Sequence, residues 1–507
     1  MAVAEQTTAL ALQEKSKLIK SLRRFDMWFF SVCAFVGLDT LGTVASNGAE
    51  GFLWLVVLAI VFVAPYMLLT SEVGAAFTQE GGPYEWVKLA FGRVHGAVCA
   101  ILYWITNPLW VGGSLAFIAH DSWNANISGI GTGTFGDYFF KLVFIWISIG
   151  VAIISLRYGK WIPNAGAILR GLVLGFFSIT VIIYGFKHGA AGFQWGHLSP
   201  TRAVFFALVP VLLFNYVGFE LQNAAAEEME NPQRDVPLSV LRSGITGVLM
   251  YVIPIFCILY VLPASKVTSI GGFIDAVTLT FKGVYGGAAH GLLVAMSLCF
   301  IGALVTSGAV WMIGSDRIQA VAAYDGSFFP FFGVFNRRLG TPVRVNVMSG
   351  IASSIFCVAA IILLKNQSTA NAFTVVLDIA ISTTLLSYLW VFPAVLKLRY
   401  SHPQVRRPYM HPWGMAGLWV STILTTFWIA LGSFEAIFPD VLEKSFGVGY
   451  GFKGSWGVGR GEFELLTLGT LAIILLFALL GYAAGARVRR DVAVAEISDG
   501  ETQPAPA

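Results

Sequence analysis

The sequence predicts an all-α, polytopic membrane protein of twelve transmembrane helices, arranged as a five-plus-five inverted repeat with two added C-terminal helices. Three observations carry that prediction. First, 56% of the 507 residues are hydrophobic and only 12% are charged, about half the charge of a soluble domain, and the mean hydropathy is +0.74. Second, apolar runs of about 20 residues, the length that crosses a bilayer as a helix, recur along the chain. Third, two short stretches read alike: Phe35-Val36-Gly37-Leu38-Asp39 and Tyr216-Val217-Gly218-Phe219-Glu220. Each is an aromatic, Val, Gly, an apolar residue and an acid, inside a long hydrophobic segment.

The apolar runs place spans at about 25–48, 51–77, 94–120, 138–156, 161–186, 202–228, 238–262, 288–315, 344–364, 369–396, 414–438 and 464–485. Twelve spans put both termini on one side. That side carries 22 of the 32 Lys+Arg, the other side carries nine, and Arg170 lies inside span 5. The excess places both termini in the cytoplasm of a multi-pass cell-membrane protein. Residues 1–24 form a polar N-terminal tail with Lys15, Lys17, Lys20, Arg23 and Arg24 and no cleavable signal pattern. A helical core at 25–398 holds both repeats, 399–486 hold helices 11 and 12, and 487–507 form a C-terminal tail. After Arg490 that tail is acidic, then Pro/Ala-rich, a composition that does not fold alone.

Span 1 carries the first of the paired stretches and ends at Asn47-Gly48. Span 2 ends near Glu72. The loop Glu80-Gly81-Gly82-Pro83-Tyr84-Glu85-Trp86-Val87 then joins turn chemistry to Tyr, Trp and Lys88, which suits a short amphipathic segment at the membrane interface. Span 3 contains Tyr103-Trp104 and Asn107-Pro108, and the proline removes a helix hydrogen bond. Span 5 has Pro163 near its start and Arg170 a third of the way in. Span 6 carries the second stretch, then Glu227-Glu228 and Asn231-Pro232, and Pro237 suits the first turn of helix 7. Span 8 contains Thr306-Ser307 and ends at Asp316-Arg317, before Asp325-Gly326 and Gly340-Thr341-Pro342. Span 10 contains Asp378, the loop 397–413 is basic, and 439–463 is Gly-rich and extracellular.

The composition excludes a soluble enzyme, and a net charge of +4 gives no sign of a nucleic-acid partner. The five cysteines lie in apolar segments with no metal-ligand spacing, and the seven histidines sit at span ends or in loops. No disulfide, metal or cofactor is expected.

The paired stretches draw attention on energetic grounds. A carboxylate near mid-bilayer costs roughly 2.5–3.5 kcal/mol on insertion scales, so its default reading is functional. A preceding Gly lowers helix propensity by about 1 kcal/mol and lets the chain open. Matching interrupted segments in two halves of a membrane chain point to a transporter's binding site. If span 6 repeats span 1, spans 1–5 and 6–10 are repeats, and an odd number of spans forces them into opposite orientations.

Three longer stretches resemble a known family, the amino acid–polyamine–organocation (APC) transporters, which share the LeuT-like inverted-repeat fold. Phe214-x-x-x-Gly218-Phe219-Glu220 followed by Glu227-Glu228-x-x-Asn231-Pro232-x-Arg234-x-x-Pro237 is similar to its helix 6 motif. Gly81-Gly82-x-Tyr84-x-Trp86 with Phe91-Gly92 is similar to its helix 2–3 signature. Asp316-Arg317 through Asp325-Gly326 and Thr341-Pro342 is similar to the loop after helix 8.

The resemblance implies site residues. Gly37-Leu38-Asp39 lies where the family has a Gly-Ser/Thr-Gly run whose exposed N–H groups hold a substrate carboxylate. Asp39 stands where a second Gly is expected, and an anion there repels a carboxylate and attracts an ammonium. Gly37, Leu38 and Asp39 are therefore expected to bind an amine, or Asp39 to accept a proton. The competing reading is an Asp turned to water or capping the outer half of helix 1. Glu220, with Gly218, matches the family's helix 6 acid, implicated in proton sensing or occlusion, and a buried carboxyl can hold a proton near neutral pH. Phe214 falls on the gating aromatic, whose face can cover a site and attract an ammonium. Tyr103 falls on a tyrosine that closes the site from below. For Glu220, Phe214 and Tyr103 the competing reading is structure: backbone hydrogen bonds or packing.

Arg170 lies near the position where some members place a Lys instead of the sodium ion of sodium-coupled relatives. The competing reading is an Arg reaching to the cytoplasmic surface. Thr306-Ser307 offers hydroxyls to a sodium site, or ordinary packing. Asp378, in the outer half of span 10, is a candidate wall of an outer vestibule. Glu227 and Glu228 read as a solvated gate or folding element rather than ligands.

The function expected is secondary active transport of amino acids or polyamine-like organic cations by alternating access, proton-coupled or exchanging, with Asp39, Glu220 and Arg170 as the coupling set. Its partners are a small amine solute, a proton or counter-substrate, and the lipid bilayer. The alternative is a membrane sensor of the same fold that binds without translocating.

Overall fold

The computed structural model describes residues 9–15, 22–158, 161–189, 201–268, 270–363 and 369–490, and these form helices and connecting turns. Lys17, Lys20, Lys160, Lys365, His197 and the acidic tail after Arg490 lie outside the described residues. In chain order the first helices are α1 (Ala9–Lys15), α2 (Arg24–Phe35), α3 (Leu41–Ala45), α4 (Gly48–Ala76), α5 (Pro83–Phe91), α6 (Arg93–Asn126), α7 (Phe135–Tyr158), α8 (Trp161–His188) and α9 (Arg202–Asn215). They are followed by α10 (Pro232–Val261), α11 (Gly272–Tyr285), α12 (Ala289–Tyr324), α13 (Val343–Leu363), α14 (Thr369–Ser401), α15 (Gly414–Ile437), α16 (Val441–Ser445), α17 (Phe452–Trp456) and α18 (Arg460–Ala484).

Among the described residues ten helical runs are long and apolar enough to cross a membrane. The expected spans 25–48 and 202–228 are not among them, because both are broken. The first stops at Phe35 and resumes as α3. The second stops at Asn215 and continues as a 3-10 turn, Leu221–Glu228. The two similar stretches are the breaks themselves.

α6 and α14 run through the centre, largely buried on every side. α14 packs on α6 and α15, α10 on α2 and α4, and α12 on α6, α7 and α8. α7, α8 and α18 expose large apolar side chains such as Phe139, Ile147, Ile179 and Leu476, a surface made for lipid rather than water. Pro108 does not end α6; a π-turn, Val111–Leu115, follows it. The extra residue in that turn re-aims the side chains around it. Gly112 sits at a close crossing, where a Cβ would lie 2.3 Å from the carbonyl oxygen of Ser353 in α13.

Two expectations need correction. The segment after Gly81-Gly82 does form a helix, α5, but Pro83–Val87 are buried in protein rather than laid on the membrane interface. Its polar groups find protein partners: the Tyr84 hydroxyl donates to Asp325 at 2.6 Å, and Lys88 pairs with Glu85 at 2.6 Å and Asp325 at 3.2 Å. Glu228 is likewise not solvated. It is buried and accepts from Arg317 at 2.8 Å, while Glu227, half-buried, pairs with Lys15.

Arg317 also pairs with Glu80 at 2.5 Å, so one buried guanidinium serves two carboxylates. The N-terminal segment is stitched over this group. Leu22 and Met229 form a parallel bridge, with Leu22 N–H donating to Glu228 and Glu230 N–H to Leu22, both at 3.0 Å. Arg24 pairs with Asp235 at 2.9 Å and Arg23 with Glu230 at 3.0 Å. The exit of the second broken helix is therefore tied to the entry of the first.

Burial raises the Glu80 carboxyl from the ordinary 4.5 to about 8; Arg317 opposes the rise and Glu228 adds to it. With both carboxylates ionised the trio carries one excess negative charge, and a proton on Glu80 removes it. A carboxyl raised in the folded state stabilises most at low pH and loses that contribution as pH climbs through its folded value. The melting temperature of the parent should fall between about pH 4.5 and 8, and Glu80→Gln should flatten that decline. Parallel unfolding scans of parent and variant across this range are the check, and identical slopes would contradict the assignment.

Candidate functional site

At the first break the chain leaves helical geometry at Val36, with φ −88° and ψ 90°. A helix end normally exposes carbonyls that need partners. Here each is met by a different helix. The Trp311 indole of α12 donates to Ala34 O at 2.8 Å, the Tyr251 hydroxyl of α10 to Phe35 O at 2.9 Å, and Arg170 Nε of α8 to Val36 O at 2.9 Å. Gly37 N–H donates to the Tyr251 hydroxyl at 2.8 Å. The Arg170 guanidinium is fully buried. It also donates to Gly166 O at 2.8 Å, Ala303 O at 3.1 Å, Thr306 Oγ1 at 3.3 Å and Ser307 Oγ. It does not reach a surface, and it ties the break to α12.

Asp39 follows the break and is 1% exposed. It is neither turned to water nor a cap: the residue before α3 is Thr40, which makes no side-chain cap bond. Its Oδ2 accepts from Trp110 Nε1 at 2.7 Å and Ser114 Oγ at 2.6 Å, both placed by α6 around its π-turn. Its Oδ1 is buried without a hydrogen-bond partner. Asp39 lines a cavity of about 20 Å³, room for about one water, together with Gly37, Trp110, Phe214, Tyr251 and Trp311. The rings of Phe214 and Trp110 meet edge-on, with centroids 6.1 Å apart.

At the second break Gly218 takes φ +118°, a conformation that a Cβ makes costly. A side chain there would also strike the Trp311 ring, 2.8 Å from a built Cβ. Gly218 N–H donates to the Tyr66 hydroxyl at 3.1 Å. Glu220 is fully buried and accepts from three tyrosines: Tyr103 of α6 at 2.6 Å, Tyr388 of α14 at 2.5 Å, and Tyr66 of α4. Trp311 lies between the two breaks, since it lines the Asp39 cavity, covers Gly218 and has its centroid 6.2 Å from that of Tyr103.

The fold thus brings Gly37, Asp39 and Phe214 to one cavity, and Tyr103, Gly218 and Glu220 to an adjoining cluster; Leu38 is buried beside them without lining the cavity. Sequence reasoning missed Tyr66, Trp110, Ser114, Tyr251, Trp311 and Tyr388. Trp110 and Ser114 carry one usable signal, an i, i+4 polar-capable pair just after Asn107-Pro108. Among the described residues no group of three or more His, Cys, Asp or Glu is placed to hold a metal.

Known proteins bear on this arrangement. The profile of a family described as amino acid permease matches residues 22–449. The chain is 30% identical over 382 residues to a probable agmatine/putrescine antiporter of Lactococcus lactis, covering 75% of this chain and 79% of that one. It is 29% identical over 407 residues to an uncharacterized transporter of Legionella pneumophila, covering 78% and 84%. It is 21% identical over 411 residues to a glutamate/gamma-aminobutyrate antiporter of Lactococcus lactis, covering 76% and 77%. A solved structure of the Eremococcus coleocola manganese transporter is similar with a TM-score of 0.57 at 13% identity, over 92% of this chain and 95% of that one. At that identity the likeness speaks for the fold alone.

Gly218→Ala tests the geometry of the second break. Left-handed backbone costs a residue with a Cβ about 1–2 kcal/mol, and the Trp311 ring must move as well. A lowered melting temperature with altered tryptophan fluorescence is expected, and an unchanged pair of readings would contradict the break as described.

Proposed function

We propose a function from one premise: the chain belongs to the amino acid permease family, within the amino acid–polyamine–organocation superfamily, and is a multi-pass membrane transporter. On this reading it moves a small cationic amine, an amino acid derivative or polyamine, across the cell membrane by alternating access. It exchanges that amine for a related solute or couples its movement to a proton. Both termini face the cytoplasm, the core 25–398 carries transport, and α15 and α18 stand outside the two repeats.

One observation carries the choice of an amine. Asp39 presents a buried carboxylate oxygen with no partner to a cavity walled by Trp110, Phe214 and Trp311. An ammonium satisfies both parts of that wall, by a charge-assisted hydrogen bond and by the aromatic faces. Two relatives are named as antiporters, and one of those names, agmatine/putrescine antiporter, is of cationic amines. The small cavity corresponds to a closed stage of the cycle, with Phe214 as its cover.

Arg170 supports independence from sodium. Its guanidinium occupies the space between Val36 O and the Thr306 and Ser307 hydroxyls, where a fixed positive charge serves as the ion does in sodium-coupled relatives. Glu220 is the candidate proton site. Ionised, it accepts three tyrosine hydroxyls; protonated, it must itself donate, so one of the three contacts has to reverse or open. That links protonation to the packing of α4, α6 and α14 on the second break.

Purified protein in liposomes preloaded with 1,4-diaminobutane should take up labelled diamine by counterflow. Binding without uptake would make the chain a receptor. Asp39→Asn should weaken diamine binding by about 10- to 100-fold, the usual worth of a hydrogen bond to a charged group, and should spare a zwitterionic amino acid more. Equal weakening of both would remove the amine assignment. Glu220→Gln should flatten the pH profile of uptake, and an unchanged profile would exclude its coupling role.

A further inference from the structure

We propose that the cavity on the face opposite the N-terminal segment is a second recognition site for an organic ammonium, where the same amine is held before it reaches Asp39. The inference rests on the amine reading above. The cavity measures about 430 Å³, within the range that holds small organic ligands. Its wall includes Thr43, Ser46 and Asn47, one to two turns beyond Asp39 along α3 and the turn that follows it. The two sites therefore lie along one element.

Asp378 of α14 lines the cavity, is 6% exposed, and its Oδ2 has no hydrogen-bond partner. Tyr450 and Trp456 form an aromatic wall of the same cavity. That wall is rigid: Trp456 Nε1 donates to the Tyr450 hydroxyl at 2.9 Å, and the Trp456 ring packs on Phe463 at 4.7 Å between centroids. Beside it lie two further buried acids, Glu435 and Glu443, whose carboxyl groups meet each other. Asp378 is near enough to act electrostatically on both Glu435 and Tyr450.

Two nearby basic groups are already engaged. Lys444 pairs with Asp440 at 2.7 Å, and Arg460 lies 4.0 Å from Asp440 and 3.5 Å from Glu464. Asp440 also accepts from Tyr450 N–H at 3.1 Å, so its carboxylate holds the loop in shape. Asp378 thus stands without a cation on the wall of a cavity of ligand size. A carboxylate oxygen buried without a partner is costly, and a cation seated in the cavity compensates it. The aromatic wall favours an organic ammonium over a small hydrated metal ion, which cannot use a π-face without shedding water.

The test is equilibrium binding of 1,4-diaminobutane to the full-length chain in lipid nanodiscs. Asp39→Asn weakens the central site, and the binding phase of the outer cavity should remain beside it. Adding Asp378→Asn should reduce that phase at least about tenfold, whereas adding Asp378→Glu should preserve it. Sodium chloride at matched ionic strength should compete no better than choline chloride. Thermal unfolding separates loss of the site from loss of fold: 1,4-diaminobutane should raise the melting temperature of Asp39→Asn but not of the Asp39→Asn/Asp378→Asn double variant. No residual phase in Asp39→Asn, or one indifferent to Asp378→Asn, overturns the proposal. A residual phase in a protein that shows no counterflow would instead sustain the outer site and refute the transport reading.

Discussion

A helix that breaks inside a membrane must find a partner for every backbone group it exposes, because no water is there to serve instead. The first break meets that demand with three side chains from three helices. Trp311, Tyr251 and Arg170 each take one of three consecutive carbonyls, Ala34, Phe35 and Val36, at 2.8–2.9 Å. Because Arg170 is also bound to the carbonyls of Gly166 and Ala303, the same contact joins α2, α8 and α12. Loosening any of the three leaves an orphaned carbonyl in a low-dielectric interior. The position of Asp39, a few residues on, is a consequence of how firmly this end is held.

The two breaks resemble one another in sequence and differ in how they use their acid. Glu220 is saturated by three tyrosine hydroxyls from α4, α6 and α14. Any change at the carboxyl is therefore felt by three helices. Asp39 engages one oxygen with Trp110 and Ser114 and leaves the other facing the cavity. Trp311 touches both, so a change of packing at one break can be passed to the other through a single ring.

The helical layout was legible because run length and hydropathy are local properties of the chain. The two breaks were legible because Gly followed by an acid is expensive inside an apolar segment. The partners of those acids were not. Tyr66, Tyr251, Tyr388, Trp110 and Trp311 lie in a chain with 16 Tyr, 15 Trp and 40 Phe, where any single aromatic reads as packing. The interface reading of α5 failed for a related reason: an amphipathic pattern looks the same whether its polar face meets headgroups or, as with Tyr84 and Asp325, other protein groups. Glu228 looked solvated because its partner, Arg317, is 89 positions away.

By itself the sequence determined that the chain is a bundle of membrane helices, where two of them open, and which acids stand at the openings. Burial of charge and loss of helix propensity are priced residue by residue, so a linear reading can find them. The tertiary structure decided which groups each acid meets. It spent Glu220 on three hydroxyls, left one oxygen of Asp39 free, drew Arg170 inward to hold a broken helix, and gathered Asp378 beside Glu435 and Glu443. Those outcomes depend on which distant helices converge. Hydrogen bonds reach only about 3 Å, so which groups come that close is settled by packing and not by position along the chain.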